Sequence, residues 1–205
     1  MIRLLITGGV GAGKSALLGA FAPMCSLPFE VFSADEAVGR LYDSQELQAL
    51  LVGLFGERVL IPSDMGGEAT VDKQWLRKTV LPFEGPRRSL EELVHGQVLK
   101  ELDRGAAAAR AAGKKVFLAE VPLHYEIGEV VSADLVIVVA ASRSVQVRRM
   151  MENRGLDQAT AQAFLNAQWP IEAKVEKADV VIWNDGDPSA LKCQTLLLAN
   201  LLKHE

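Results

Sequence analysis

The pattern of apolar and polar positions divides the chain into five short, nearly continuous apolar runs separated by longer amphipathic stretches. The runs are residues 2–6, 29–32, 116–119, 135–139 and 180–183. They are short, bounded by turn residues and rich in Val, Ile and Leu, which is typical of strands buried on both faces of a parallel sheet. Helical patterns separate the runs, as in doubly wound folds. The pattern therefore predicts an α/β, three-layer fold with a parallel five-stranded sheet.

The segment of about residues 44–110 interrupts this alternation. It contains helical patterns over residues 45–55, 72–80 and 86–110, with a polar loop at residues 62–70. Its alanine-rich end is typical of a helix that stops at Gly113. We therefore expect a helical subdomain inserted into a single domain.

Residues 8–15 read Gly-Gly-Val-Gly-Ala-Gly-Lys-Ser, directly after the first apolar run and before a helical pattern. A G-x-x-x-x-G-K-S spacing between a strand and a helix indicates a phosphate-binding loop (P-loop). Glycines let successive backbone N–H groups point inward at an anion, and the helix start adds partial positive charge. Lys14 then reaches the terminal phosphates, and the Ser15 hydroxyl holds a magnesium ion. We expect the chain to bind a nucleoside triphosphate.

Residues 143–177 are helical throughout, with a turn near residues 153–155, and carry several arginines. These are Arg143, Arg148, Arg149 and Arg154. Such arginines are usually an ordinary solvated surface. Beside a phosphate-binding loop, however, a mobile helical hairpin that bears arginines is typical of a lid. We therefore predict a lid over residues 143–177.

Composition restricts the class of protein and of partner. The chain has 205 residues, 49% of them hydrophobic, and a net charge of −4, so nothing attracts a nucleic-acid backbone. Three histidines and two distant cysteines cannot build a structural zinc site. Cys25 and Cys193 are interpreted as buried small apolar residues in a reducing cytosol. With no signal peptide and no apolar run near the ~18 residues of a membrane span, we expect a cytoplasmic protein without membrane contact. We also expect a monomer, because no apolar surface stripe is evident.

Phosphoryl transfer needs a carboxylate near the acceptor hydroxyl. Asp35 follows the second apolar run, at the carboxyl edge of the sheet where ligands bind, and can accept a hydroxyl proton or touch the magnesium shell. Alternatively, Ser33 caps a helix there and Asp35 only favours its dipole. Glu120 ends the third run, which is typical of a second, metal-side carboxylate, or else it is an ordinary surface residue. His95, within a helical pattern, is more typical of a packed residue than of a ligand.

A second short motif has no functional context. Residues 64–67 fit the D-x-x-G spacing of GTPase switches, but no Asn-Lys-x-Asp segment follows. We interpret this match as accidental.

Segments along nearly the whole chain resemble the dephospho-coenzyme A kinase family. The loop alone is shared by many nucleotide-binding proteins, so the later segments carry the family resemblance. The similar segments are residues 6–15, Ala34 with Asp35, residues 93–95, residues 121–126, Ala167 with Gln168 and Lys174, and residues 178–182 followed by Asn184 and Gly186.

The resemblance implies transfer of the γ-phosphoryl of ATP to the ribose 3′-hydroxyl of dephospho-coenzyme A. Its implied catalytic residues are Asp35 and Lys14, with Ser15 at Mg²⁺. The implied ATP-binding residues are Gly9, Gly11, Ala12, Gly13, Lys14, Ser15, Ala16, Arg149 and Asn184. The acceptor-side residues are Asp35, Arg77, His95, Glu120 and Pro122. The implied organisation is a core, a helical coenzyme A domain and a lid.

The chain also departs from the family pattern. Ser33 replaces an Asp, Ala16 replaces a Thr, Gly96 replaces a Pro, and Asn153 stands where a second lid arginine is usual. Arg154 is one position later, and one residue rotates a helical side chain by about 100°, so it substitutes only if the lid turns or unwinds there. Two other classes stay open: a P-loop kinase of another nucleoside or nucleotide, and a non-catalytic nucleotide-binding module.

Overall fold

A computed structural model describes residues 1–62, 68–127 and 131–203. The D-x-x-G match at residues 64–67 and His204 lie outside the described residues. The main sheet has five strands in the order β2-β5-β1-β6-β7. These strands are β1 (Ile2–Gly8), β2 (Phe29–Ser33), β5 (Val116–Glu120), β6 (Leu135–Ala140) and β7 (Val180–Trp183). The predicted five-stranded parallel sheet is confirmed, and β7 has the bounds expected from the sequence.

The helices follow the predicted alternation. They are α1 (Lys14–Phe21), α2 (Ala34–Tyr42), α3 (Gln45–Phe55), α4 (Lys73–Thr79), α5 (Glu84–Ala111), α6 (Arg143–Arg154), α7 (Gln158–Asn166), α8 (Ile171–Val175) and α9 (Pro188–Leu201). The register of β1 pairs Ile6 with Glu120 of β5 and Gly8 with Val139 of β6. The carboxyl ends of these three strands therefore meet at one edge of the sheet.

Helices cover both faces of this sheet, which explains the continuous apolar runs. On one face, Ile137 and Val139 join a core with Leu17 and Phe21 of α1 and Leu198 of α9. On the other face, the alternate residues Val138 and Ala140 pack against Ile171 of α8. Successive strand side chains point to opposite faces, so both must be apolar. The three-layer arrangement follows from this double burial.

The chain divides into two compact units. One comprises Met1–Phe32 with Ala106–Glu205, and the other is Ser33–Gly105. The second unit holds α2, α3, α4 and most of α5. It also has a feature missing from the prediction: the residues that flank the expected polar loop pair as the antiparallel strands β3 (Leu60–Ile61) and β4 (Thr70–Val71). Two-residue strands give too short an alternation to be visible as a sequence pattern.

Two sequence-based expectations are wrong in detail. The segment predicted as a lid has the expected turn at Gly155 (φ 63°), but a second break before Pro170 separates α7 from α8, so it consists of three helices rather than a hairpin. The cysteines are not both buried: Cys25 is half-buried and Cys193 is exposed on α9. Cys25 follows the end of α1, and Cys193 lies mid-way along α9, so the face of the helix and not its apolar character decides its exposure. No helix in the described part of the chain is long and apolar enough to cross a membrane.

Candidate active site

The P-loop connects β1 to α1 with a backbone that requires glycine. Gly8, Gly11 and Gly13 have φ values of 143°, 73° and 102°. These values lie in or near the left-handed region, where a side chain would cost free energy. The Ala12 N–H donates to the Gly9 carbonyl at 3.2 Å and closes the turn inside the loop. The loop thus has the curled backbone predicted from its spacing.

Groups from β6 and from the segment after β7 occupy the space that side chains on the loop glycines would need. A Cβ on Gly8 would overlap the Val139 carbonyl, and one on Gly13 would overlap the Asn184 amide nitrogen. Space as well as φ therefore excludes larger residues. The loop is held in place by β6 and by the segment after β7.

Lys14 and Ser15 begin α1. Lys14 is half-buried, and its Nζ donates to the carbonyl oxygens of Gly8 at 3.3 Å and Gly9 at 3.2 Å. The Ser15 hydroxyl lies in the first turn of α1 and the residue is exposed, as is Ala16. A cation and a hydroxyl therefore stand together at a helix N-terminus, the position that favours phosphate binding.

Arg149 and Asn184 hold the carbonyl side of the loop. Arg149 Nη1 donates to Gly11 O at 3.4 Å and Ala12 O at 3.2 Å, and its Nη2 donates to Asn184 O at 2.8 Å. Asn184 is buried, and its Nδ2 donates to Ala12 O at 2.8 Å. The family resemblance implies that Arg149 and Asn184 bind ATP. Here both side chains bind loop carbonyls and hold them outward.

Two glutamines that the sequence analysis did not assign to loop binding contact Val10. Gln146 Nε2 donates to Val10 O at 2.9 Å, and Gln168 Oε1 accepts from Val10 N–H at 2.9 Å. The Val10 side chain packs against the lid cluster of Met150, Ala161 and Leu165. Gln146 is itself buried. No sequence signal marks this residue, because its burial, and with it the need of its amide for partners, is visible only in the structure.

A cleft opens between this part of the loop and helices α6, α7 and α8. Its volume is about 450 Å³. Its lining includes Gly9, Arg143, Gln146, Gln168 and Trp169. The cleft is large enough for part of a nucleotide-sized ligand.

Glu120 and Pro122 lie beside the strand that carries the loop. Glu120 ends β5 opposite Ile6, and the Pro122 carbonyl accepts from Thr7 Oγ1 at 3.2 Å. Thr7 is fully buried and precedes the first loop glycine. The structure thus brings these two acceptor-side candidates to the edge of the sheet that holds the P-loop.

A buried ion pair joins the segment after β5 to the lid. Lys174 Nζ lies 2.6 Å from Glu126 Oε1, and the Lys174 side chain is fully buried. The same carboxylate oxygen accepts from Trp169 N–H at 2.9 Å. The ring of Trp169 stacks on that of Tyr125 with centroids 5.9 Å apart. These contacts fix the backbone next to Gln168.

His124 lies in the same segment. Burial lowers the pKa of its imidazole below the ordinary value of 6.5; the Glu126 carboxylate opposes this shift and the Lys174 ammonium adds to it. The ring lies 4.9 Å from that of Tyr125. The imidazole is therefore held toward its neutral form.

The other candidates belong to the Ser33–Gly105 unit. Asp35 is exposed in the first turn of α2, and Ser33 Oγ accepts from Glu36 N–H at 3.4 Å, so the capping interpretation of Ser33 is confirmed. Arg77 is exposed on α4. His95 is half-buried within α5, which continues unbroken through Gly96, so no helix starts there. Carboxylate, guanidinium and imidazole are thus distributed over three helices of this unit.

Arg154 does not take the place of Asn153. Helix α6 is regular to Arg154 and only Gly155 leaves it. The side chain of Arg154 therefore points about 100° away from the line that joins Arg149 to Asn153. The condition for substitution, a turn or unwinding before Arg154, is not met.

The described residues contain no group of three or more His, Cys, Asp or Glu side chains that could hold a metal ion. Mg²⁺ in phosphoryl-transfer sites is usually bound by one or two protein groups plus substrate phosphates. The donor set around Ser15 therefore fits a metal carried in with a nucleotide rather than a protein cage.

A Gly-rich loop that ends in Lys-Ser, carried by the central strand of a parallel five-stranded sheet between helices, defines the class of P-loop kinases. The structure of TT1252 from Thermus thermophilus superposes with a TM-score of 0.76 at 29% identity, covering 98% of this chain and 97% of that one. A dephospho-CoA kinase from Campylobacter jejuni superposes with a TM-score of 0.67 at 21% identity, covering 98% of each chain.

Sequence comparison narrows this class to one family. A family model described as dephospho-CoA kinase matches residues 2–189. A dephospho-CoA kinase of Geobacillus kaustophilus is 31% identical over 194 residues, which are 94% of this chain and 92% of the relative. The chain belongs to the dephospho-CoA kinase family and is an enzyme of the kinase class.

Proposed function

We propose that the chain transfers the γ-phosphoryl group of ATP to the ribose 3′-hydroxyl of dephospho-coenzyme A, giving coenzyme A. The observation that carries this proposal is the P-loop geometry of residues 8–15 in a chain whose family match extends over residues 2–189. A loop alone supports only nucleotide binding, whereas family membership across the chain supports the acceptor as well.

The phosphates of ATP are proposed to bind the loop at Gly9 and at residues 11–16, leaving out Val10, whose N–H already donates to Gln168. Arg149 and Asn184 support this, because they hold the carbonyls of Gly11 and Ala12 away from the phosphate side. Lys14 would exchange the carbonyl oxygens of Gly8 and Gly9 for phosphate oxygens, which carry full charge and form stronger hydrogen bonds. Ser15 would hold Mg²⁺ through its hydroxyl. When bound, the ion neutralises charge on the β- and γ-phosphates.

Asp35 is proposed to orient the acceptor hydroxyl and to accept its proton as the new P–O bond forms. Ser33 already accepts from the Glu36 N–H, so the Asp35 carboxylate is not needed as the helix cap. An exposed carboxylate directly after β2 is available for a substrate hydroxyl. The proton leaves the 3′-oxygen for Asp35, and the γ-phosphoryl leaves ADP for the 3′-oxygen.

The segment of about residues 44–110 is proposed as the acceptor-binding subdomain, and residues 143–177 as the lid. Arg77 and His95 offer a cation and an imidazole to the acceptor from that subdomain. Glu120 and Pro122 are proposed to border the acceptor at the sheet edge, supported by their pairing with β1.

The location is proposed to be the cytoplasm and the state a monomer. Two free cysteines, one of them exposed, support a compartment where thiols stay reduced. The expected lack of an apolar surface stripe is wrong, because α9 exposes Leu196, Leu197 and Leu201. Sedimentation equilibrium tests the monomer directly.

The function is tested by measuring ATP consumption with magnesium, with and without dephospho-coenzyme A, and by identifying the product. We expect consumption that depends on the acceptor and a product phosphorylated at the 3′-oxygen. ATP binding with no transfer to this acceptor, or transfer to a nucleoside instead, would contradict the proposal.

A further inference from the structure

The tip of the P-loop is held from the lid at three points on a single residue. Val10 N–H donates to Gln168, Val10 C=O accepts from Gln146, and the Val10 side chain packs against Met150, Ala161 and Leu165. We call Val10 with Gln146 and Gln168 the amide latch. Gln146 lies on α6 and Gln168 lies between α7 and α8. Two separate parts of the lid therefore bind the two peptide groups on either side of the Val10 Cα.

The contacts of Gln146 with the loop leave no room for a side chain at Gly9 or Gly11. A Cβ on Gly9 would overlap Gln146 Nε2, and a Cβ on Gly11 would lie 2.9 Å from the Gln146 carbonyl. The amide and backbone of Gln146 thus touch the loop on both sides of Val10. A buried amide in such contact is costly to leave unpaired.

The Gln168 side is fixed by the ion pair described above. Trp169 N–H donates to Glu126, whose carboxylate also contacts the buried Lys174. The backbone that carries Gln168 is therefore anchored to the segment after β5. Its acceptor is presented to Val10 from a rigid support.

We propose that Gln146 and Gln168 are positioning residues that make the shape of the P-loop depend on the position of the lid. The lid cannot leave the loop without breaking both amide hydrogen bonds and uncovering the Val10 side chain. Conversely, a nucleotide that fixes the loop also fixes the lid, because favourable coupling between two sites is reciprocal. The inference rests on the proposed function only in assigning the loop to ATP.

The two glutamines have opposite roles toward Val10, which gives a sharp test. Gln168→Glu keeps an oxygen that accepts from Val10 N–H. Gln146→Glu places an oxygen against the Val10 carbonyl, where only a donor can bind. Both changes add one negative charge close to the phosphates, so the difference between them isolates the hydrogen bond. Gln162→Glu, on the exposed surface of α7, adds the same charge away from the latch.

ATP affinity is measured by calorimetry without any acceptor, and KM and kcat are measured with dephospho-coenzyme A. We expect Gln146→Glu to weaken ATP binding about tenfold more than Gln168→Glu does. In the kinetic assay, Gln146→Glu should raise the KM for ATP and change kcat little. Gln162→Glu should bind ATP as the unchanged protein does. Equal effects of the two latch variants, or a loss confined to kcat, would overturn the proposal.

Two controls keep the outcome interpretable. If Gln146→Glu lowers the melting temperature, the same measurements are made on Gln146→Met. This variant removes the donor without adding charge, and it should also weaken ATP binding. ATP affinity that responds as expected in a protein with no transfer to dephospho-coenzyme A would contradict the proposed function but not the latch.

Discussion

At the residue scale, single side-chain contacts set the shape of the P-loop and leave Asp35 available. Asn184 Nδ2 donates a hydrogen bond to Ala12 O, and it also occupies the space that a side chain on Gly13 would need. Likewise, the Ser33 hydroxyl caps α2 and leaves Asp35 available. The sequence predicted the loop glycines and the cap because both depend on neighbours along the chain. It did not predict that Arg149 binds loop carbonyls.

Gly13→Ala tests the requirement for the loop backbone. The φ of 102° and the overlap with Asn184 should distort the loop and raise the KM for ATP on the order of tenfold to a hundredfold. Gly19→Ala is the control inside α1, the helix that Gly13 caps, where nothing lies within 4 Å of the added carbon. That control should keep the KM and raise the free energy of unfolding by about 0.5–1 kcal/mol. Similar kinetics for both variants would count against the geometry.

Asp35→Asn tests the proposed base. Removing a proton acceptor should lower kcat about 10²- to 10⁴-fold, while the Kd for ATP measured by calorimetry should change little. Glu36→Gln, the next carboxylate in the same turn and also exposed, should retain near-normal kcat. An unchanged rate in Asp35→Asn would return Asp35 to a helix-dipole role.

At the scale of elements, the regularity of α6 determines which side chains reach the loop. Gln146 and Arg149 both touch the loop from one face of the helix, and Asn153 is one turn further along that face. Helix existence was predictable from the pattern over residues 143–177. The breaks between α6, α7 and α8 were not, apart from the turn at Gly155, because a polar surface segment has little periodicity.

Asn153→Arg should therefore restore a lid cation on the face that meets the loop. We expect kcat/KM for ATP to rise about fivefold, as an added exposed charge contributes about 1 kcal/mol at most. Met151→Arg adds the same charge at an exposed position on a different face of α6 and should leave kcat/KM unchanged. An equal gain from both variants would show a non-specific charge effect. The assay is steady-state kinetics at two salt concentrations.

For the molecule as a whole, stability should depend on pH through His124. Burial lowers its pKa in the folded state, so below pH 6.5 the unfolded chain binds more protons than the folded one. The contribution of His124 to the free energy of unfolding is thus complete above its ordinary pKa, and it is lost as pH falls toward the lowered pKa of the folded state. His124→Asn, which cannot titrate, should reduce the loss of unfolding free energy between pH 7 and pH 5. Urea titrations at several pH values measure this free energy. An identical dependence on pH in His124→Asn and in the unchanged protein would contradict the role given to His124.

The sequence by itself determined the five strands, the P-loop and the helix starts that are capped locally. Each of these depends on residues within one or two turns of each other, so periodicity, glycine placement and capping patterns carry the information. Family membership was likewise readable from ordered segments along the chain.

Only the tertiary structure decided what surrounds the loop. Gln146 and Gln168 are 136 and 158 residues away from Val10, and Asn184 is 172 residues from Ala12. No local pattern links residues at such separations. These pairs meet because the strand order places β1 between β5 and β6, so that segments after distant strands converge on one edge of the sheet.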